Sequence, residues 1–330
     1  MSADWLHEAG IGEERAILVS GGRILSARVC WGEKVRPGLV AQARLVTRHA
    51  GSRRGVVRFD DGAEALVDQL PREATEGVSL TVRVTRAAIA ERGRTKLPVV
   101  RPAPGEDPRP APSLREELEA TGASVKSVAI TGRAFAENGW DELAEQAVTG
   151  EIAFAGGSII VSPTPAMTLI DIDGTLPPLK LALSAVDVIA DALHRLDIGG
   201  SVGIDFPTLH EKKDRQHVDK ALGDALIDWQ GERTAMNGFG FVHLVSRLER
   251  ASLVARNTRF PVAAAARALL RNAERVSEPG ALLLTAHPRV LAAILPAWET
   301  ELASRTGRTI RRKEDPALAL SGGFAQGVPL

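Results

Sequence analysis

The chain has 330 residues, of which 44% are hydrophobic, so it is long enough to bury a sizeable core and to form more than one module. Its single cysteine, Cys30, excludes an intramolecular disulfide and a cysteine-built zinc site within one chain, and fits the reducing cytoplasm, where we expect the protein. No run reaches the roughly 18 apolar residues of a membrane span, so we expect no membrane partner.

Charge is balanced over the chain but uneven along it. The 41 basic and 41 acidic side chains give a net charge of zero, which neither favours nor excludes a nucleic-acid partner. Residues 1–101 hold 17 basic and 12 acidic side chains, residues 102–200 hold 6 and 15, and residues 201–330 hold 18 and 14. Basic flanks around an acidic middle suit a protein that binds phosphates at its edges and a metal ion centrally, although an ordinary solvated surface gives the same pattern.

The first hundred residues have the composition of short β-strands. Residues 15–28 read RAILVSGGRILSAR, two β-rich runs around Gly21-Gly22, which predicts a hairpin. Five further short strands follow within residues 37–101, with Gly and Asp at the turns. This pattern predicts a small barrel of the OB type, with any other antiparallel barrel as the alternative.

A proline-rich segment follows the predicted barrel. Residues 102–112 contain five prolines, which exclude a helix and a central strand and predict a linker or long loop. Residues 113–122 and 140–148 then have helical patterns.

Residues 157–229 show the most regular pattern of the chain. Strands are predicted at residues 158–161, 167–172 and 201–206, and helices at residues 179–196 and 211–229. Strand, helix and strand in this order predict a parallel βαβ unit, in which groups at the carboxyl ends of the strands gather at one edge. Asp171 and Asp205 occupy that place on two of the strands.

Two carboxylates at neighbouring strand ends repel each other unless a proton or a cation lies between them. A hard divalent ion with oxygen ligands is the common solution, and Mg²⁺ held by one or two carboxylates keeps several waters. Such a site can polarise a phosphodiester and activate water. The alternative is that one or both of Asp171 and Asp205 cap the helices that follow them.

The last seventy residues have a weaker pattern of mixed elements. We expect a helix at residues 262–273, a strand at residues 282–285, one helix over residues 288–303 and a strand near residues 309–312. The glycine-rich end, residues 321–330, is expected to be frayed.

Several segments resemble, in the same order, the catalytic region of the ribonuclease E/G family. They are WDELAEQA (140–147), GGSIIVSPTPAM (156–167), LIDID (169–173), AVDVIA (185–190), LDIGGSVGIDF (196–206) and NGFGFVHLVSRL (237–248). The resemblance is continuous over about residues 138–253. Residues 15–28 and the predicted barrel are also similar to the opening strands and the inserted OB-fold domain of the family, whereas the end of the chain is only loosely similar to the family's small domain.

The resemblance implies an α/β fold, α+β overall. It has an RNase H-like and DNase I-like catalytic region, an inserted small OB-type β-barrel and a C-terminal α/β small domain. The implied modules are N-terminal strands that pack with the catalytic region (1–36), an OB-fold RNA-binding domain (37–101), a Pro-rich linker and helix (102–137), a metal-dependent nuclease domain (138–253) and a C-terminal small domain (254–330).

The resemblance also implies an activity. In the family two aspartates bind magnesium, and the metal activates water for the hydrolysis of RNA. Carried over, Asp171 and Asp205 are the catalytic residues and the metal ligands, with Mg²⁺ as the cofactor and Mn²⁺ as an alternative. The expected function is an endoribonuclease of single-stranded RNA in RNA processing or decay.

The chain departs from the family at several places. Asp173 stands where the family usually has an asparagine that orients the first ligand, so a third carboxylate lies beside the metal ligands. The zinc-binding pair of cysteines is missing, so any homo-oligomer is not linked by zinc, and the segment that senses the 5′ end of RNA is absent. Where the family's barrel carries stacking aromatics, this chain has Arg58 and Leu66, with Phe59 beside them.

RNA contacts are therefore expected to be mainly electrostatic. The candidate RNA-binding residues are Arg92, Arg94 and Lys96 in the barrel, Lys212 and Lys213 at the start of a helix, and Asn237 in the strand region that borders the scissile phosphate. The alternative to RNA binding is that Lys212 and Lys213 are ordinary solvated surface residues and that Asn237 only forms a turn before Gly238.

Two other functions remain open. Asp171-Ile-Asp173-Gly-Thr-Leu176 also matches the nucleophile motif of haloacid-dehalogenase-type phosphatases, in which Asp171 is the nucleophile and Asp173 the acid/base. Segments similar to that family's later motifs, residues 282–285 and 223–228, occur in the wrong order. The third hypothesis is an RNA-binding protein of the ribonuclease E/G family with little or no catalytic activity.

Overall fold

A computed structural model describes residues 3–91 and 94–330 of the chain. The first three strands form an antiparallel sheet; they are β1 (Asp4–Gly10), β2 (Glu13–Ser20) and β3 (Arg23–Cys30). The hairpin predicted at residues 15–28 is confirmed. Its turn residues Gly21 and Gly22 have φ of 57° and 75°, as a two-residue turn of type I′ requires. The sequence patterns had not indicated β1.

The next region is a closed barrel of five strands. Its strands are β4 (Val40–Arg48), β5 (Gly55–Phe59), β6 (Glu64–Val67), β7 (Ser79–Arg86) and β10 (Val99–Pro102). Between the last two, β8 (Ile89–Glu91) and β9 (Arg94–Lys96) pair antiparallel. The barrel closes because β10 pairs with β7 antiparallel and with β6 parallel. Its interior is filled by aliphatic side chains, among them Leu45, Val57 and Val100. The five strands expected within residues 37–101 are thus confirmed.

The segment after the barrel holds more structure than a linker. It contains α1 (Leu114–Glu119), β11 (Val125–Ser127), α2 (Ala134–Glu137) and α3 (Trp140–Thr149). Helix α1 begins with a capping box, in which Ser113 and Glu116 each accept a hydrogen bond from the other's backbone amide. Strand β11 pairs parallel with β1, so the first sheet has the order β11-β1-β2-β3. The prediction of a linker and a helix was therefore incomplete.

The centre of the molecule is a six-stranded sheet of order β12-β13-β14-β15-β17-β16. Its elements are β12 (Glu151–Phe154), β13 (Gly157–Pro163), β14 (Thr168–Gly174), α4 (Pro178–Arg195), β15 (Ser201–Asp205), α5 (Lys212–Ala225), β16 (Gly231–Arg233) and β17 (Phe241–Ser246). Strands β14 and β15 are parallel and joined by α4, as predicted, and the other neighbours are antiparallel. Helix α4 covers one face of the sheet, and the opposite face carries exposed side chains such as Ile160 and Leu169. We call this opposite face the open face.

The last part of the chain forms a smaller α/β unit. It consists of α6 (Leu253–Arg259), α7 (Pro261–Glu274), β18 (Ala281–Ala286), α8 (Pro288–Ala292), α9 (Pro296–Thr306), β19 (Ile310–Glu314), a 3-10 turn (Leu320–Gly322) and β20 (Phe324–Val328). Two expectations were wrong here. The single helix at residues 288–303 is two helices, because Pro296 begins a new one. The end of the chain is not frayed, because β20 pairs antiparallel with β18.

In the described part of the chain, no helix combines the length and the apolar character needed to cross a membrane.

Arg15 connects the first sheet to the elements around it. Its side chain is 1% exposed, and its guanidinium carbon lies 4.6 Å from the ring centre of Phe135 and 4.4 Å from that of Trp140. The guanidinium pairs with Glu8 and, at 3.7 Å between Nε and Oε1, with Glu13. Burial lowers the pKa of Arg15 to about 10, so the group stays charged at neutral pH.

The two glutamates extend this network to the C-terminal unit. Glu13 pairs with Arg271 of α7, and Glu8 Oε1 lies 3.7 Å from Arg275, directly after α7. Burial raises the pKa of Glu13, but Arg271 and Arg15 outweigh it and hold that pKa below its ordinary value. Burial raises the pKa of Glu8. The buried charges therefore depend on one another for compensation.

We expect Arg15→Met to lower the free energy of unfolding by about 3–5 kcal/mol, because it leaves two buried carboxylates short of a partner. The control is Arg23→Met, since Arg23 pairs with Asp191 at 2.6 Å on the surface, where ion pairs contribute little. Urea denaturation followed by circular dichroism measures both variants. Equal losses for the two would contradict a special role for Arg15.

Candidate active site

Asp171 and Asp205 are direct neighbours on the six-stranded sheet. Strands β14 and β15 pair in a parallel register that sets Asp171 opposite Asp205. Adjacent strands lie about 4.7–4.9 Å apart, and residues opposite each other project from the same face. Both aspartates are exposed, on the open face. We call these two residues the aspartate pair.

The alternation of each strand explains this placement. Ile170 and Ile172 of β14 are buried beneath α4, so the residues between and beyond them, Asp171 and Asp173, project outward. On β15, Ile204 is buried and Asp205 ends the strand in an exposed position. Helix α4 returns the chain so that both strands run in the same direction. Local sequence pattern and a single crossover thus bring the two carboxylates together.

Hydrogen bonds leave most of the carboxylate oxygens of these residues accessible. Asp171 Oδ1 accepts a hydrogen bond from the amide of Ile172 at 3.0 Å, and Asp173 Oδ1 accepts one from the amide of Gly174 at 2.8 Å. In residues 3–91 and 94–330, no hydrogen bond or ion pair engages the Asp205 carboxylate. Two exposed carboxylates at paired positions therefore lack a cationic partner among the described residues.

The donor set of the aspartate pair suits a hard cation with water in its remaining positions. Within the described ranges, no group of three or more His, Cys, Asp or Glu side chains is arranged to hold a metal ion. A cation at the aspartate pair would thus have two protein ligands, which is the usual arrangement for Mg²⁺ and unusual for structural Zn²⁺. Asp173 follows Asp171 by two residues on the same face and lies opposite Ser158 of β13.

Two of the three predicted basic residues of the barrel, Arg94 and Lys96, lie on β9, next to the central sheet. Arg92 lies outside the described residues, and Arg94 begins β9. Lys96 ends β9, and its Nζ donates a hydrogen bond to the carbonyl of Pro165 at 3.3 Å. Pro165 lies between β13 and β14, at the end of β14 farther from Asp173. The barrel therefore approaches the central sheet at the opposite end of the strand from the aspartates.

Lys212 and Asn237 line a cleft of about 400 Å³ with Arg215, Asp219 and Met236. Lys212 begins α5, and the Nζ of Lys213 lies 4.0 Å from Glu211. The Oδ1 atom of Asn237 accepts hydrogen bonds from the amides of Phe239 and Phe241, at 2.9 and 3.0 Å. The Asn237 side chain thus stabilises the turn before β17 through Oδ1, and its Nδ2 group is left to donate a hydrogen bond to a ligand.

Sequence reasoning named none of the outward side chains of β17. Phe241 lies opposite Asp205 in the register, and His243 lies opposite Gly203. His243 Nε2 is 2.6 Å from the Ser201 hydroxyl. The signal was present in the sequence, because Val242 and Leu244 alternate with these residues and are buried. The alternation predicts which face they share but not which strand lies beside them.

The segments that imitate a phosphatase do not converge on Asp171. Residues 282–285 lie on β18, in the three-stranded sheet, and Asp224 lies within α5. In a phosphatase, the later motifs would have to lie beside Asp171, in the middle of β14. The fold therefore does not support the phosphatase hypothesis.

The domain that carries the aspartate pair matches a known protein family. No curated protein matches the chain. Residues 113–245 match the family model described as the ribonuclease E/G family, and this range contains Asp171, Asp173 and Asp205. It extends from the start of α1 through most of β17, while the barrel and the C-terminal unit lie outside it. Residues 113–245 therefore carry a domain of the ribonuclease E/G family.

Proposed function

We propose that the protein is a divalent-metal-dependent endoribonuclease that hydrolyses phosphodiester bonds of single-stranded RNA, in RNA processing or decay. The observation that carries the proposal is the register of β14 and β15, which sets Asp171 opposite Asp205 on an exposed face within the ribonuclease-family domain. Cytoplasmic RNA is the expected partner.

Mg²⁺, with Mn²⁺ as an alternative, fits the aspartate pair by the chemistry of its ligands. Both ligands are carboxylates, neither pairs with a cation of the described residues, and both face solvent, so that waters can complete the coordination. A divalent ion bound there supplies positive charge that polarises the phosphodiester and lowers the pKa of an attacking water.

The protein's own residues hold and orient the reacting groups in this proposal. Asp171 and Asp205 hold the cation on rigid strands, and the amide of Ile172 fixes one oxygen of Asp171. Asp173 lies beside them and carries a third negative charge, held by the amide of Gly174. Lys212, at the start of α5, and the amide group of Asn237 border the neighbouring cleft, where they would contact phosphate and sugar.

The barrel is proposed to be an OB-fold that binds RNA. Its strands pair in the order β4-β5-β6-β10-β7 and close β7 onto β4, a Greek-key arrangement of five strands. The loop between its last two strands carries Arg94 and Lys96 and reaches the central sheet. Phe59 is buried inside the barrel, and Arg58 pairs with Glu64 at 2.7 Å. These contacts favour electrostatic binding of RNA over base stacking on the barrel.

The division into modules is proposed as well. Residues 1–36 and 138–253 would form the RNase H-like and DNase I-like catalytic region, with the barrel inserted between them and residues 254–330 as the small domain. The contacts of α4 with β3 support packing of the N-terminal strands against helix α4 of the proposed catalytic region. Strand β11, inside the proposed 102–137 module, belongs to the first sheet and ties that module to residues 1–36.

A non-catalytic RNA-binding protein is the second candidate. The observations that favour it are the buried Phe59 and the Asp173 carboxylate in the position of the family's asparagine. The accessible aspartate pair favours the nuclease, because an unneutralised carboxylate pair has no evident use in a protein that only binds an anionic polymer.

Substitution of each aspartate tests the nuclease. We expect Asp171→Asn and Asp205→Asn each to lower the rate of RNA cleavage by about 100-fold or more, because each removes a ligand of the cation. Asp173→Asn should keep the activity or raise it. Cleavage of single-stranded RNA is measured with Mg²⁺ and with chelator, and unfolding curves without metal verify that the variants fold.

Other outcomes separate the candidates. If Asp173→Asn no longer hydrolyses a small phosphomonoester while Asp205→Asn still does, the phosphatase is favoured. If the unmodified protein binds RNA but cleaves it at no Mg²⁺ or Mn²⁺ concentration, the non-catalytic RNA-binding protein is the candidate that remains.

The salt dependence of RNA binding tests the barrel. Replacing Arg92, Arg94 and Lys96 with Gln should reduce the slope of log K against log salt by up to about 2, because each contact with a single-stranded phosphate contributes about 0.7. Binding is measured by fluorescence anisotropy in chelator, so that no RNA is cut.

The matched control replaces three exposed cations outside the barrel, Arg115, Lys126 and Arg133, with Gln. Its slope should equal that of the unmodified protein. An unchanged slope in the barrel variant would mean that the RNA path lies elsewhere.

A further inference from the structure

The open face has a shallow depression at Gly203, next to the aspartate pair. Gly203 lies on β15 two residues before Asp205, between Leu169 of β14 and His243 of β17. Although it faces the open side, Gly203 is buried, because neighbouring side chains lean over it. A Cβ placed on Gly203 would lie 2.5 Å from Cζ of Phe241 and 3.0 Å from Cδ2 of Leu169.

Met167 completes this surface, since its sulfur would lie 3.0 Å from the same Cβ. Met167, Leu169 and Phe241 therefore meet above Gly203 as one apolar surface, which we call the apolar platform. Leu169 is 37% exposed, and Phe241 and Met167 are partly exposed. Single exposed apolar residues need no explanation, but three that converge on a glycine form a continuous contact surface.

The platform lies at a defined distance from the aspartates. Leu169 precedes Asp171 by two residues and Gly203 precedes Asp205 by two, which corresponds to about 6–7 Å along each strand. All four project from, or lie on, the open face. A nucleobase reaches its own phosphate across one sugar, so a phosphate held at the aspartate pair would leave an adjacent base over the platform.

We propose that the apolar platform binds the base of one nucleotide next to the scissile phosphate, an inference that rests on the proposed endoribonuclease function. Base stacking on apolar and aromatic side chains tolerates any base, because each has a π-face. The platform would then place the phosphodiester at the aspartate pair without selecting a sequence.

A protein partner fits this surface poorly. A stable protein interface needs about 800 Å² on each side, and a cover of that size would extend over Asp171 and Asp205. Burying two carboxylates against an apolar partner carries a large desolvation cost. RNA instead brings a base to the platform and a phosphate, with its cation, to the carboxylates.

The test combines Phe241→Ala with RNA that lacks one base. A single-stranded oligoribonucleotide with one cleavage site is made with an abasic ribose at each position in turn, and kcat/KM is measured with Mg²⁺. In the unmodified protein, the abasic ribose at one position beside the cleaved bond should lower kcat/KM about 5- to 150-fold, the size of one lost stacking contact. In Phe241→Ala the same change should cost less than about twofold, because the contact is already gone.

Two control variants define the result. Val245→Ala removes an exposed apolar side chain from the same strand and face, about 13 Å from Phe241, and should keep the full abasic penalty. Phe241→Tyr keeps the aromatic ring and should also keep the full abasic penalty. An abasic penalty that is as large in Phe241→Ala as in the unmodified protein overturns the proposal.

The same oligonucleotides separate this inference from the proposed function. If no RNA is cleaved, the endoribonuclease proposal fails, and the dissociation constants in chelator still test the platform. A penalty for the missing base that disappears only in Phe241→Ala supports a base-binding platform on a non-catalytic protein. Equal penalties in all variants overturn it.

Discussion

The buried guanidinium of Arg15 is the constraint on which the assembly of the molecule depends. It lies over the rings of both Phe135 and Trp140, before and at the start of α3, and pairs with two glutamates of the first sheet. Those glutamates reach the arginines at the end of α7. A charge buried in this way stabilises the fold only when all its partners are in place. The first sheet, α3 and the C-terminal unit must therefore pack together, because otherwise the desolvation cost of Arg15 is not compensated.

The position of the aspartate pair on the central sheet depends on a different constraint, the burial of apolar side chains. One face of β13–β15 belongs to the largest hydrophobic core, in which α4 covers β13 and β14, and this burial fixes the register through the residues that must be buried. A shift of β15 by one residue would bury Asp205 and expose Ile204. The position of the aspartate pair is therefore secured by apolar burial on the other side of the sheet, and the open face is left to carry groups that do not stabilise the fold.

Local patterns were sufficient for the elements that position Asp171 and Asp205. Alternation and a single helix predict β14, α4 and β15, and the carboxyl ends of parallel strands predict that the aspartates meet. Strand β11 was missed because three residues gain their structure only by pairing with β1, more than a hundred residues away. Strand β20 was missed for the same reason, since its glycine-containing sequence depends on β18 for pairing. The contact of Phe241 with Gly203 likewise follows from the order of strands, which no local pattern contains.

Asp173, where the sequence resemblance implies an asparagine in the family, changes charge more than geometry. Its Oδ1 accepts the amide of Gly174 at 2.8 Å, a hydrogen bond that the carbonyl oxygen of an asparagine can accept equally well. The added negative charge lies two residues from Asp171, about 6–7 Å along the strand, which is within the Debye length of about 8 Å at physiological ionic strength. In the proposed nuclease it would therefore attract a cation to the aspartate pair more strongly and oppose the approach of an RNA phosphate. These two effects would have opposite signs for turnover, so the residue at this position would set a balance between metal affinity and substrate affinity while the carboxylate pair itself keeps its place on the strands.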